Sequence, residues 1–208
     1  MATLNESIQR GEIIIIDGGV STEIQRRGAA MDQVVWSGIV HMTHPDIALA
    51  VHEDYIRAGA RVITTNTFSG ARHVLENINL KGEVESINKA AVELAHRARD
   101  NAATDEVWIA GSMSSMPPLN SLRDTVRHQG VAAGYQEQAE ILAEMGVDLI
   151  VAEMMTDPVN APMVVKAALS TGLPVWVGFS AMSADEGLTV VSQRTDPEFD
   201  TRPPDDFA

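Results

Sequence analysis

Residues 12–24 read EIIIIDGGVSTEI, from Glu12 to Ile24. Four successive β-branched isoleucines, Ile13 to Ile16, suit a strand buried on both faces, as in a parallel sheet. The run breaks at Asp17-Gly18-Gly19, which puts a carboxylate and an unhindered backbone at the strand's C-terminal end. In α/β proteins ligands bind at that end. Asp17-Gly18 is equally compatible with a simple turn.

Working outward, the chain repeats the same unit. Pro45 suits the first turn of a helix, Ile47, Val51 and Tyr55 follow at four-residue spacing, and Gly59 ends the pattern. A strand is expected over 61–68, then a short helix and loop over 69–80. A long helix over 83–102 has the apolar stripe Val84, Ile87, Ala91, Leu94, Ala95 and Ala98. Strands at 107–112, 147–153 and 175–181 alternate with helices over 126–145 and 158–170. A lead-in helix is expected within 1–11. A short helix capped by Ser21 or Thr22 should run to Arg27 and stop near Gly28, and a loop from Ala29 to Thr43 carries Trp36. The stretch from Asp185 to Ala208 is polar, holds three prolines and reads as a poorly structured tail without a sixth strand.

Repeated βα units predict an α/β protein with a parallel sheet, either doubly wound or a (β/α)8 barrel. The turn after the first strand is DGGVST, which lacks the G-x-G-x-x-G of a dinucleotide fold, and no Walker A motif occurs. Polar residues close every strand: Asp17, Thr65-Asn66-Thr67, Ser112, Glu153 and Ser180. Convergence on one rim is what a barrel active site needs. A full barrel takes about 250 residues, so about five βα units of one are expected here, as a single domain over 1–208.

Composition narrows the function classes. A formal charge of −14 with a pI near 4.7 disfavours nucleic acid and anionic membrane as partners. There is no cysteine, so disulfides, cysteine nucleophiles and thiolate metal sites are excluded within this chain. No apolar run reaches the roughly 18 residues of a membrane span, and no signal peptide is visible. A cytoplasmic protein is the simplest expectation. His41, His44 and His52 do not follow a familiar ligand spacing, and His44-Pro45 reads better as a helix start. Met113, Met116, Met154 and Met155 near strand ends suit either a pocket for a thioether or sulfonium, or core gap-filling. Thr64 to Thr67 suit a pocket or simply a strand. Glu153, after LIVA, suits a ligand or a solvated rim.

Five segments, in order, resemble the homocysteine S-methyltransferases, a family that includes betaine–homocysteine methyltransferase and the homocysteine domain of cobalamin-dependent methionine synthase. They are IIIIDGG at 13–19, HPDIALAVHEDYIRAGARVITTNTF at 44–68, AGSMSSMPP at 110–118, GYQEQAEILAEMGVDLIVAEMM at 134–155 and LPVWVGFS at 173–180. The resemblance implies a (β/α)8 barrel that passes a methyl group from a small donor to homocysteine, giving methionine. It implies that Asp17 and Gly18 hold the amino-acid end of the substrate, that Glu153 binds its ammonium, and that Thr65 and Asn66 line the pocket. It also implies a zinc ion that lowers the pKa of the substrate thiol. The family's three cysteine ligands, in G-[IV]-N-C and G-G-C-C patterns, have no counterpart in this chain. The expectation is therefore a C-terminally truncated barrel without identifiable catalytic or metal residues. Residues 154–155 are Met-Met where other members carry polar or aromatic groups. The alternative is an inactive partial barrel that binds an amino acid or a partner. An incomplete barrel is expected to expose the edges of its first and fifth strands, inviting self-association.

Overall fold

The computed structural model describes residues 3–115, 128–155, 159–184 and 187–190. At its centre are four parallel strands: β1 (Val62–Thr64), β2 (Trp108–Ser114), β3 (Leu149–Met155) and β4 (Val175–Phe179). Ile63 lies opposite Ile109, Gly111 opposite Ile150, and Val151 opposite Trp176. Spatial order follows chain order without reversal. A doubly wound sheet reverses its order at a switch point, so the arrangement is a partial barrel wall.

The helices are α1 (Leu4–Gln9), α2 (Val20–Arg26), α3 (Val40–Thr43), α4 (Pro45–Arg57), α5 (Arg72–Leu75), α6 (Val84–Ala102), α7 (His128–Glu144) and α8 (Ala161–Ser170). Pro45 starts α4 at a position where a missing N–H costs nothing, and Gly59, at φ 103°, turns the chain out of it. All six residues of the predicted α6 stripe are buried. Strand β2 is buried along its whole length, and its alternate residues serve two cores. Ile109 and Met113 face the helical layer with Leu142, Ala139 and Val164. Trp108 and Ala110 face the concave side, where Val62, Leu149 and Leu4 of α1 close the space. A capping box between Thr3 and Glu6 fixes the start of α1, which seats Leu4 there. Among the described residues, no helix is long and apolar enough to cross a membrane.

Several local expectations are corrected. The first stave is not a strand buried on both faces. Only Ile16 forms a parallel bridge, to Val62, while Ile15 accepts from the Arg61 and Val62 N–H groups and Asp17 N–H donates to Val62. Ile13 is 86% exposed and Ile16 55%. A run of isoleucines signals that a strand suits a sheet, but not that a neighbour covers it. Ser21 and Thr22 lie inside α2, whose N-cap is Gly19 with no side-chain bond. The strand expected over 61–68 is only Val62–Thr64, because the chain turns at Thr67–Gly70. Val40–Thr43 is helical where a loop was expected. β5 (Ala181–Ala184) lies just before the supposed tail and β6 (Gly187–Val190) lies within it, where no strand was expected. These two strands pair with each other, antiparallel, and do not extend the parallel sheet. Met116, Pro117, Pro118 and the tail from residue 191 lie outside the described residues.

Candidate functional site

A cleft of about 380 Å³ opens at the C-terminal ends of the strands. Gly18, Thr65, Asn66 and Glu153 all line it. Of the residues singled out from sequence, four therefore converge there, and Asp17 stands beside them.

Asp17 turns its carboxylate to the end of β1. Its oxygens accept from the Thr64 N–H at 2.7 Å and from the Thr64 hydroxyl at 3.0 Å. These bonds favour the charged form, but burial outweighs them, and the nearby Glu153 charge adds to it. The carboxyl is pushed up to about 7. Gly18 follows, and a Cβ there would come within 3.0 Å of the Tyr55 hydroxyl. A larger residue there would push the α4 tyrosine back by a few tenths of an ångström.

Glu153 faces the cleft by strand alternation with Leu149 and Val151, beside a break in sheet register. β3 and β4 pair regularly to Ala152 and Val177, then shift before Met155 and Phe179. Within the irregularity Met154 takes a left-handed backbone, φ 52°, which costs a side-chain-bearing residue about 1–2 kcal/mol. The Ser112 hydroxyl donates to Glu153 Oε1. Burial raises the Glu153 carboxyl above its ordinary value despite that bond. Among the described residues neither Asp17 nor Glu153 forms a salt bridge.

Thr65 and Asn66 line the cleft, yet their polar atoms are committed inward. The Thr65 hydroxyl bonds the Thr67 hydroxyl at 2.7 Å and accepts from the Ser112 N–H at 3.1 Å. Asn66 accepts from the Ser37 hydroxyl at 2.8 Å and donates to the Ser37 carbonyl at 2.7 Å. Both residues tie the cleft floor together.

Sequence reasoning missed the aromatic wall. Trp36, left-handed at φ 52°, stacks on Phe68 with centroids 5.4 Å apart and planes 16° from parallel. Both line the cleft with Met31 and Met154. A tryptophan in a connecting loop, in Trp36-Ser37-Gly38, was the available signal. Its partner Phe68 follows β1 by four residues and carries none.

The homocysteine S-methyltransferase family model matches residues 14–197. The chain belongs to that family. Among curated relatives, betaine–homocysteine S-methyltransferase 1 of Bos taurus is 28% identical over 174 residues, covering 82% of this chain and 41% of that protein. The Danio rerio protein of the same name is 29% identical over 172 residues, covering 82% and 41%. The chain thus spans about two-fifths of the length of these relatives. Among solved structures, the homocysteine methyltransferase MmuM of Escherichia coli superposes in its oxidized form with a TM-score of 0.73. That match is at 23% identity, over 90% of this chain and 68% of that one. Its metallated form gives 0.70 at 22% identity, over 88% and 68%. These two likenesses support the partial barrel.

The family is zinc-dependent in general, so the donor set matters. The sequence contains no cysteine. Among the described residues no three His, Asp or Glu side chains come together to hold an ion. His44 is exposed and bonds Thr43, whereas His41 and His52 are buried and pushed down to about 4 by burial, hence neutral at pH 7. The residues described do not fit a zinc site, and no chemical step is assigned to one.

Proposed function

We propose that this cleft anchors homocysteine by its amino-acid end, as the substrate-holding part of an S-methyltransferase that converts the thiol to the methyl thioether of methionine. The observation that carries the reading is the pair of carboxylates, Asp17 and Glu153, raised by burial at one rim without a salt-bridged cation among the described residues. A primary ammonium supplies that cation. It forms charge-assisted hydrogen bonds with Glu153 and relieves the repulsion between the two groups. Asp17, already bonded to Thr64, contributes field and holds Gly18 at the rim. Trp36 and Phe68 present stacked ring faces to the same space, which suits a cationic methyl donor such as a sulfonium or quaternary ammonium. The described residues supply anchoring and orientation. None of them is placed to activate the thiol.

Calorimetric titration with homocysteine at pH 8 tests the reading. Glu153→Gln keeps the shape and the Ser112 contact but removes the charge, and is expected to weaken binding at least tenfold. Unchanged affinity in Glu153→Gln, or no binding by the unaltered chain, would overturn it.

A second reading, a partial barrel that binds a partner chain, is favoured by the open edges. Ile13, Ile15 and Ile16 are exposed on one side, and Val177 and Phe179 on the other. Such edges template pairing with another strand.

A further inference from the structure

We infer that Gln138 and Asn88 are positioning residues of the cleft: two buried amides, one from α7 and one from α6, that fix the Thr67–Gly70 turn and through it the Phe68 ring against Trp36. The inference rests on the cleft being the substrate site, but it is read from the rings themselves.

The turn follows β1 and carries Phe68 into the cleft wall. Three of its four carbonyls, those of Thr67, Phe68 and Gly70, are each held by a side-chain donor. Gln138 Nε2 donates to the Thr67 carbonyl at 2.7 Å, the Ser114 hydroxyl to the Phe68 carbonyl at 2.7 Å, and Asn88 Nδ2 to the Gly70 carbonyl at 2.9 Å. Asn88 Nδ2 also donates to the Val84 carbonyl of its own helix at 2.8 Å, and its Oδ1 accepts from Gln138 at 3.3 Å. The Ser69 hydroxyl extends the frame to the Val35 carbonyl at 2.9 Å, beside Trp36. Both aromatic residues are thereby held from behind by one continuous set of bonds.

Packing shows the arrangement to be specific. Asn88 and Gln138 are fully buried, at helix positions where an apolar residue would satisfy the core alone. Among the described residues Gln138 Oε1 has no hydrogen-bond partner, a cost that an apolar side chain would avoid. Gly70 completes the fit. A Cβ there would lie 2.4 Å from Asn88 Oδ1 and 2.9 Å from Gln138 Nε2, so only glycine lets the amides reach the turn. Buried polar networks of this kind cost stability when broken and hold one geometry when complete.

The chain has three tryptophans, Trp36, Trp108 and Trp176. Incorporation of 5-fluorotryptophan gives three fluorine resonances, assigned by single Trp→Phe variants. Gln138→Leu is expected to move or broaden the Trp36 resonance in the ligand-free chain and leave Trp108 and Trp176, in the concave core, in place. Ser114→Ala removes one bond with little change of volume and should show the same signature without loss of fold. Gln136→Leu, on the same helix but bonded to Glu140 and Ser170, serves as the control and should move none. If Gln138→Leu unfolds, Gln138→Met, which keeps the length of the side chain and removes only its amide, decides. A Trp36 resonance unmoved in the folded Gln138 variant, or all three resonances moving together, overturns the inference. Homocysteine titration of the unaltered chain reports separately on the substrate reading, so either can fail alone.

Discussion

The raised Asp17 carboxyl makes a signed prediction about stability. Its value moves from 3.8 in the unfolded chain to about 7 in the folded one. The folded state therefore keeps a proton that the unfolded state has released. Between about pH 4 and pH 7 this group's contribution to stability falls as pH rises, and above pH 7 the full penalty is present. A shift of that size corresponds to about 4 kcal/mol at 1.36 kcal/mol per pH unit. Asp17 is only half-buried by accessible surface, so solvent screening brings the expectation to about 2 kcal/mol. Asp17→Asn removes the charge and keeps an oxygen to accept from the Thr64 N–H. Urea unfolding of both proteins from pH 4.5 to 8.5 should show similar stabilities at the acid end. The variant should be about 2 kcal/mol more stable at pH 8. A flat difference across the range would show that burial does not govern this carboxyl. A wild type favoured at high pH would show that the Thr64 bonds outweigh burial. Homocysteine should narrow the difference at pH 8, because its ammonium supplies the missing counter-charge.

Two further outcomes follow from local geometry. Met154 is left-handed and 39% exposed, so Met154→Gly should leave the urea midpoint nearly unchanged, whereas the β-branched Met154→Val should cost about 1–2 kcal/mol; equal effects would show that the side chain, not the backbone, sets the tolerance. The unaltered chain should associate in light scattering, and Ile15→Lys with Phe179→Lys should return it toward a monomer; a monodisperse unaltered monomer would count against pairing through the edges.

Much of the framework was legible in the sequence, and the reasons differ by element. The α6 stripe was readable because a single helix face repeats with the helical period, and its burial needs only one neighbouring layer. The order of βα units was readable for the same local reason, as was the rim of polar residues that ends the strands. The β3 irregularity was not, because it depends on how β3 and β4 slide past each other. Pocket membership of Thr65 and Asn66 was anticipated, but their commitment to Ser112, Thr67 and Ser37 was not. A side chain's free hydrogen-bonding capacity depends on which groups reach it from distant parts of the chain.

The sequence by itself determined the βα repeat, the absence of cysteine donors and the membership of the homocysteine S-methyltransferase family, carried by motifs such as IIIIDGG and LIVAEMM. Local spacing and residue chemistry suffice for those. The fold alone settled that Ile13, Ile15 and Ile16 are exposed while Ile14 packs against the concave core, that Glu153 stands in the cleft beside a strained Met154, and that Trp36 meets Phe68 from the far side of a loop. Each depends on the partner that lies alongside, and chain folding supplies that partner where sequence spacing does not.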